Sequence, residues 1–250
     1  MTILPYLSPL SMVLSANDGL ILRGSLDYPS TNVGSRYPLA VLAHQYPSTR
    51  DSFAPLVADL LSMGVATLTF DERGHGRSTR SRDGMLVIDA PLGLTAADFG
   101  TAFVSSISKV GFHHIEDDVV RVVSWGVSQN YIDASKIILV GGSVGGSGVL
   151  LAAPRLGAAL RGTVTVGAAG ALAFGADAPA RIRSSCENVK APFFLSSSEG
   201  DPFDGAKSVR DWSARLAHVE TKIVPGDGHA MAIYYDVRDD LLDFVAHALA

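Results

Sequence analysis

The run PLAVLAH at 38–44 is the feature that most constrains this chain. It is apolar at successive positions rather than alternate ones, as in a strand covered on both faces. Further strands are read in VATLTFD (65–71), KIILVG (136–141), GTVTVG (162–167) and APFFLSS (191–197), and in the shorter TKIV (221–224). Segments of helical spacing lie between them. In 51–64, Phe53, Leu56, Val57, Leu60 and Leu61 share a face and Gly64 supplies a stop. Further helices are expected at 115–128, from 144, near 206–218 and over 231–249. MVLSANDGLILRGSLDYP (12–29) adds two strands around the turn signal Asn17-Asp18-Gly19. The pattern predicts an α/β fold: a mostly parallel, eight-stranded twisted sheet with an antiparallel N-terminal edge and helices on both faces. Residues 83–112 fit the alternation least. They are expected to hold a short helix (95–109) over the sheet edge, as a small lid segment of a single domain spanning 1–250.

Composition excludes several classes. A net charge of -5 gives no electrostatic reason to expect a nucleic-acid partner or an anionic membrane surface. The longest uncharged run, 137–154, is too rich in Gly and Ser for a membrane span. No Lys or Arg precedes Arg23, so the N-terminal segment reads as a leading loop and strand rather than a secretion signal. The single cysteine, Cys186, permits no internal disulfide and points to a cytoplasmic location. With no histidine near it in sequence, it reads as a buried, unreactive thiol.

Chemistry enters at 141–145, Gly-Gly-Ser-Val-Gly, between a predicted strand and a predicted helix. In such a turn the serine backbone is strained so that its hydroxyl stands off the sheet end. The glycines two before and two after it, Gly141 and Gly145, remove Cβ atoms that would clash. Ser147 is a rival nucleophile, but Val149 stands two residues later and the helix would enclose it.

A serine needs a base to take its proton, and that base is usually a histidine held by a carboxylate. His229 lies in VPGDGHAM, a loop after the last strand that can reach the rim where Ser143 sits. His113 and His114 are adjacent, so their side chains diverge, and they read as solvated helix-entry residues. Asp201 in FFLSSSEGDPF is the first candidate for the acid, with Glu199, Asp204 and Asp177 as rivals. An oxyanion needs backbone donors. Val144 N–H is one and Tyr46 N–H, in HQYP (44–47), is the expected second.

These segments resemble the α/β-hydrolase superfamily over most of the chain. HQYP is similar to its His-Gly-x-Pro oxyanion segment and DERGHGRS (71–78) to its Asp-x-Arg-Gly-x-Gly-x-Ser turn. The elbow at 141–145, Asp201 before Pro202, and His229 in a glycine loop follow in the family's Ser…Asp…His order. The resemblance implies Ser143 as nucleophile, His229 as base, Asp201 as orienting acid, and Tyr46 and Val144 as amide donors. It gives DERGHGRS a structural role, with Asp71 and Arg73 as a local ion pair. Two departures mark the substrate side. Gln45 replaces the usual glycine and either narrows the oxyanion pocket or reaches the substrate; Gly142 stands where many relatives carry a larger residue and leaves room beside the nucleophile. Only 168–190 separate GTVTVG from APFFLSS, too few for a full cap domain, while Phe99, Phe103 or Phe112 could line an apolar pocket under the 83–112 lid. The implied activity is hydrolysis of a small-molecule carboxylic ester through an acyl-enzyme, with no metal or organic cofactor. Amidase, peptidase or thioesterase chemistry on the same residues, or a non-catalytic ligand-binding role, are the alternatives.

Overall fold

A computed structural model describes residues 7–30, 36–85 and 96–250, the side chains of 96–99 and 185 excepted. The strands are β1 Leu10–Ser15, β2 Ile21–Asp27, β3 Tyr37–Ala43, β4 Ala66–Asp71, β5 Ile132–Gly142, β6 Leu160–Val166, β7 Phe193–Ser198 and β8 Val219–Val224. They form one eight-stranded sheet in the order β1-β2-β4-β3-β5-β6-β7-β8. β2 runs antiparallel to both β1 and β4, and every other neighbouring pair is parallel. The helices are α1 Ala54–Ser62, α2 Ala96–Ser106, α3 Ile115–Val127, α4 Ser143–Ala152, α5 Ala178–Cys186, α6 Gly205–Ser213 and α7 Tyr234–Leu249.

Two cores explain the unbroken apolar strands. Leu39, Val41 and Ala43 of β3 join Ile137 and Leu139 of β5 against α3, α4, α5 and α6. The residues between them, Ala40, Leu42, Ile138 and Val140, face α1 and α7. Both faces of these strands are therefore dry. Truncating one central residue, as in Leu42→Ala, is expected to cost about 2–5 kcal/mol. No helix among the described residues is long and apolar enough to cross a membrane.

Three local expectations change. β5 begins at Ile132, not 136, because the amide of Tyr37 donates to the carbonyl of Tyr131 and starts the pairing early. In the 83–112 segment, α2 ends at Ser106, and a wider turn over Ile107–Gly111 leads through Phe112–His114 into α3. The first part of that segment, 86–95, lies outside the described residues. Finally, Asp71 and Arg73 do not pair. Asp71 accepts the backbone N–H groups of Arg50 (3.1 Å) and Arg77 (3.0 Å), so its two oxygens tie two loops together. Arg73 is buried under α3, where its Nε donates to Asp118 at 2.7 Å and its Nη1 to Asp18 at 2.8 Å. Asp71 is occupied by the loop amides it accepts, and Arg73 by carboxylates that the folded chain brings from both sides.

Candidate active site

β5 ends at the rim of the sheet, and Ser143 opens α4 with φ 50°. That left-handed conformation costs a non-glycine residue about 1–2 kcal/mol. The sharp bend lays Gly141 on the backbone of Gly145 and Gly146, and Gly145 on the carbonyls of Ala43 and His44, so a Cβ at either would overlap main chain. Crowding at Gly145 thus comes from the end of β3 as well as from within the turn. Ser147 lies inside α4, and its hydroxyl is spent on the carbonyl of Ala169 at 2.8 Å. The amide of Ala169 in turn donates to Ser143 O at 3.1 Å. Ser147 therefore staples the loop after β6 to the elbow.

The loops after β7 and β8 are stitched to each other. Ser198 Oγ donates to Gly228 O at 2.6 Å, and the amide of Gly200 to Gly226 O at 2.8 Å. The stitching delivers His229 Nδ1 to Asp201 Oδ2 at 2.8 Å. Asp201 also accepts from Ser197 Oγ (3.1 Å) and Phe203 N–H (2.9 Å). Burial works to raise the carboxyl pKa of Asp201, but the hydrogen bond from His229 and those from Phe203 and Ser197 hold it below the ordinary value. An ionised Asp201 accepts from Nδ1–H, which leaves a lone pair on Nε2. That nitrogen is buried and has no hydrogen-bond partner among the described residues. Among the described residues, none of the three rivals for the acid bonds to His229. Glu199 pairs with Arg210 at 2.6 Å, Asp204 leads into α6, and Asp177 precedes α5.

Backbone strain gathers here. Four non-glycine residues have positive φ among those described: Ser143, Ala230 (φ 49°), Asp204 (φ 58°) and Tyr131. The first three belong to loops of this site. Ala230 follows His229 directly, and its Cβ lies 3.6 Å from the point where a Cβ on Gly142 would stand. The His229 loop therefore abuts the residue beside Ser143.

HQYP follows β3 on the same rim. His44 Nδ1–H donates to Gln45 O at 2.8 Å, and Nε2 accepts the amide of Glu72 at 2.9 Å. The imidazole thus splints its own loop to the loop after β4. Gln45 folds over Gly142; its Oε1 would lie 3.3 Å from a Cβ there and accepts from Ser52 Oγ at 3.2 Å. The glycine at 142 and the glutamine at 45 are complementary, since one supplies the space that the other fills. The Gln45 amide nitrogen has no partner among the described residues. Tyr46 is buried, with its ring 5.2 Å from that of Phe103 and 5.7 Å from that of Phe112, and its hydroxyl 3.1 Å from Ser106 Oγ. Phe103 Cζ also approaches Gly170, a neighbour of Val144. Val144 is the second residue of α4, where an amide has no intrahelical acceptor. The side chain of Phe99 lies outside the described residues.

Residues 38–182 match the protein family described as alpha/beta hydrolase fold. The chain belongs to the α/β-hydrolase family. Among curated proteins, an uncharacterised 31.7 kDa Escherichia coli protein of the traX–finO intergenic region is 32% identical over 128 residues, which is 51% of this chain and 35% of that protein. This α/β hydrolase thus spans about a third of the length of the curated relatives it matches. Solved structures of similar fold include a dienelactone hydrolase from Anabaena variabilis (TM-score 0.67, 19% identity, covering 97% of this chain and 99% of that one). An acetyl xylan esterase from Paenibacillus sp. R4 gives a TM-score of 0.68 at 18% identity, over 96% of this chain and 83% of that one. Est1E from Butyrivibrio proteoclasticus with ferulic acid bound gives 0.70 at 17%, over 94% and 99%.

Sequence reasoning passed over two features of this α/β hydrolase. Phe203 packs edge-on against the His229 ring at 4.6 Å and is 40% exposed, which makes it an aromatic wall at the mouth of the site. Its only sequence signal was its place two residues after Asp201. The other is the buried layer beneath the HQYP loop. Burial pushes His44 down to about 4, and burial plus the neighbouring His44 push His75 down to about 3. Glu72 is fully buried with neither carboxyl oxygen bonded, and burial, with Asp118 nearby, raises its pKa well above the ordinary value. Among the described residues, no group of three His, Cys, Asp or Glu side chains is arranged to hold a metal. Cys186 is buried, and burial pushes its thiol up to about 12, which leaves it protonated and unreactive.

Proposed function

We propose that this α/β hydrolase is a serine hydrolase that cleaves small to medium carboxylic esters through an acyl-enzyme on Ser143. One observation carries the reading: His229 has its Nδ1 committed to Asp201 and its Nε2 unspent, on the rim where Ser143 stands in a strained elbow. Ser143 Oγ attacks the acyl carbon while His229 Nε2 takes its proton. Asp201 stays ionised and holds the ring in the tautomer that accepts. The amides of Val144 and Tyr46 receive the oxyanion. The alcohol leaves with the proton from His229, and water repeats the attack on the acyl-enzyme.

Gln45 and Gly142 form the substrate-binding floor in this reading, with the free Gln45 amide donating to the ester or its alcohol. Phe103 and Phe203 supply apolar walls on either side, and the 83–112 segment acts as a small lid. The esterase and lactone-hydrolase names of the structural neighbours favour esters over amides. The test is turnover of p-nitrophenyl esters from acetate to decanoate, by the wild type and by Ser143→Ala. Ester turnover abolished by the substitution is the expected result, with the chain-length optimum sizing the acyl pocket. A folded protein that is labelled by a fluorophosphonate probe yet turns over amides or thioesters alone would move the reading to those substrates. Failure of both labelling and turnover would leave a ligand-binding protein.

A further inference from the structure

Away from the nucleophile, arginines converge. A cleft of about 560 Å³ lies between the β1–β2 hairpin and the loop after β4, lined by Arg23, Arg50, Arg77 and Arg80 with the hydroxyl residues Ser11, Ser25 and Thr79. Among the described residues, no carboxylate lines it. This is unexpected in a chain of net charge -5. Elsewhere, Arg73, Arg155, Arg181, Arg210 and Arg238 each stand within ion-pair distance of a carboxylate. Among the described residues, Arg50 alone of the four cleft arginines does, with Nε 3.9 Å from the exposed Asp51. Arg80 donates to Gly84 O, and Arg23 and Arg77 have no side-chain partner among the described residues.

The backbone beneath is built firmly. Asp71 holds the amides of Arg50 and Arg77 together, and Ser78 Oγ holds the amide of Arg23 at 2.9 Å. The buried Asp71 offsets one of the four positive charges and leaves a clear excess. Like charges gathered on a fixed scaffold destabilise the unliganded protein unless an anion joins them. Guanidinium forks match phosphate oxygens in geometry, and the cavity volume is that of a small-molecule site. β4 is separated from β5 by β3, so the cleft lies about 10 Å or more from the nucleophile along the sheet. By contrast, the larger cavity of about 650 Å³ around Arg161, Lys190 and His247 lies at the far ends of the strands and carries fewer cations.

We propose that the Arg23–Arg50–Arg77–Arg80 cleft is a binding site for a small molecule bearing two or more phosphate groups. It is independent of the ester reading and stands or falls without it. The experiment is calorimetric titration of the full chain with tripolyphosphate, orthophosphate and a short single-stranded oligonucleotide, at an ionic strength of about 0.15 M. Expected is one saturable site for tripolyphosphate, at least about tenfold tighter than for orthophosphate. Arg23→Ser with Arg77→Ser should weaken it about tenfold or more, and Arg80→Glu alone should weaken it too, while ester turnover stays within about twofold. Arg161→Ser, in the other basic hollow, should change nothing. No saturable binding, equal loss in Arg161→Ser, or undiminished binding in both folded cleft variants would overturn the proposal. Tighter binding of the oligonucleotide than of tripolyphosphate would also overturn it, in favour of a polymer site.

Discussion

His44 and His229 stand in loops that leave parallel strands at the same rim, yet their environments differ in kind. His44 spends both ring nitrogens on backbone, one on its own loop and one on Glu72, and it is sealed from water. His229 gives one nitrogen to a carboxylate, keeps the other unspent, and is 15% exposed at the side chain. In the proposed mechanism a histidine serves as a base when a carboxylate fixes its tautomer and nothing occupies the second nitrogen. It becomes a splint when two fixed backbone groups occupy both.

The contrast is broken most sharply by removing each ring in turn. In the proposed mechanism, Ser143→Ala or His229→Ala should lower ester turnover by about 10⁴-fold or more, with the melting temperature little changed. Asp201→Asn should cost about 10²–10⁴-fold, since the amide no longer selects the accepting tautomer. Steady-state kinetics beside thermal melts check both. His44→Ala should do the reverse first. It strands the buried Glu72 amide and opens a cavity, so unfolding free energy should fall by about 3 kcal/mol, readable by denaturant titration.

Acid sharpens the same comparison. An unfolded imidazole titrates near ~6.5, whereas His44 and His75 are pushed down to about 4 and about 3 in the fold. Between those limits the unfolded chain binds more protons. The stabilisation is complete above the unfolded pKa and is lost as pH falls through this window, by about 3 kcal/mol for His44. His44→Ala should flatten that part of the stability-versus-pH curve. Glu72 has the opposite sign. Its raised pKa costs stability at neutral pH, so Glu72→Gln should stabilise the protein at pH 7 and lose that advantage in acid. An unchanged pH curve in either variant would place the titrating group elsewhere. The smallest expected effect is at Ala230. Ala230→Gly relieves a positive φ and should change stability by about 1 kcal/mol or less, while a looser His229 loop lowers kcat a few-fold.

Much of this was legible in the residues. The apolar run PLAVLAH announced a strand buried on both faces, because it is too short for a buried helix and turn residues flank it. The elbow was legible because its glycines answer a steric demand within a few residues of chain. Asp201 stood out from its rivals only by its turn context, and the pairing with His229 needed the stitched loops to be seen. The Asp71–Arg73 pair was misread for the same reason. Residues two apart looked like partners, but one served amides from two loops and the other served Asp18 and Asp118, 55 and 45 residues away.

The sequence by itself determined the alternation of elements, the parallel sheet with its antiparallel edge, the strained serine turn and a short set of candidate partners for it. These rest on interactions within one element or one turn, whose rules act over a few residues. Only the tertiary structure decided which carboxylate meets His229, that Gln45 covers Gly142, that His44 is a splint, and that four arginines share one cleft. Each depends on strand order and on loops meeting at a common rim, and a side chain's electrostatic surroundings are set by neighbours that the linear chain keeps far apart.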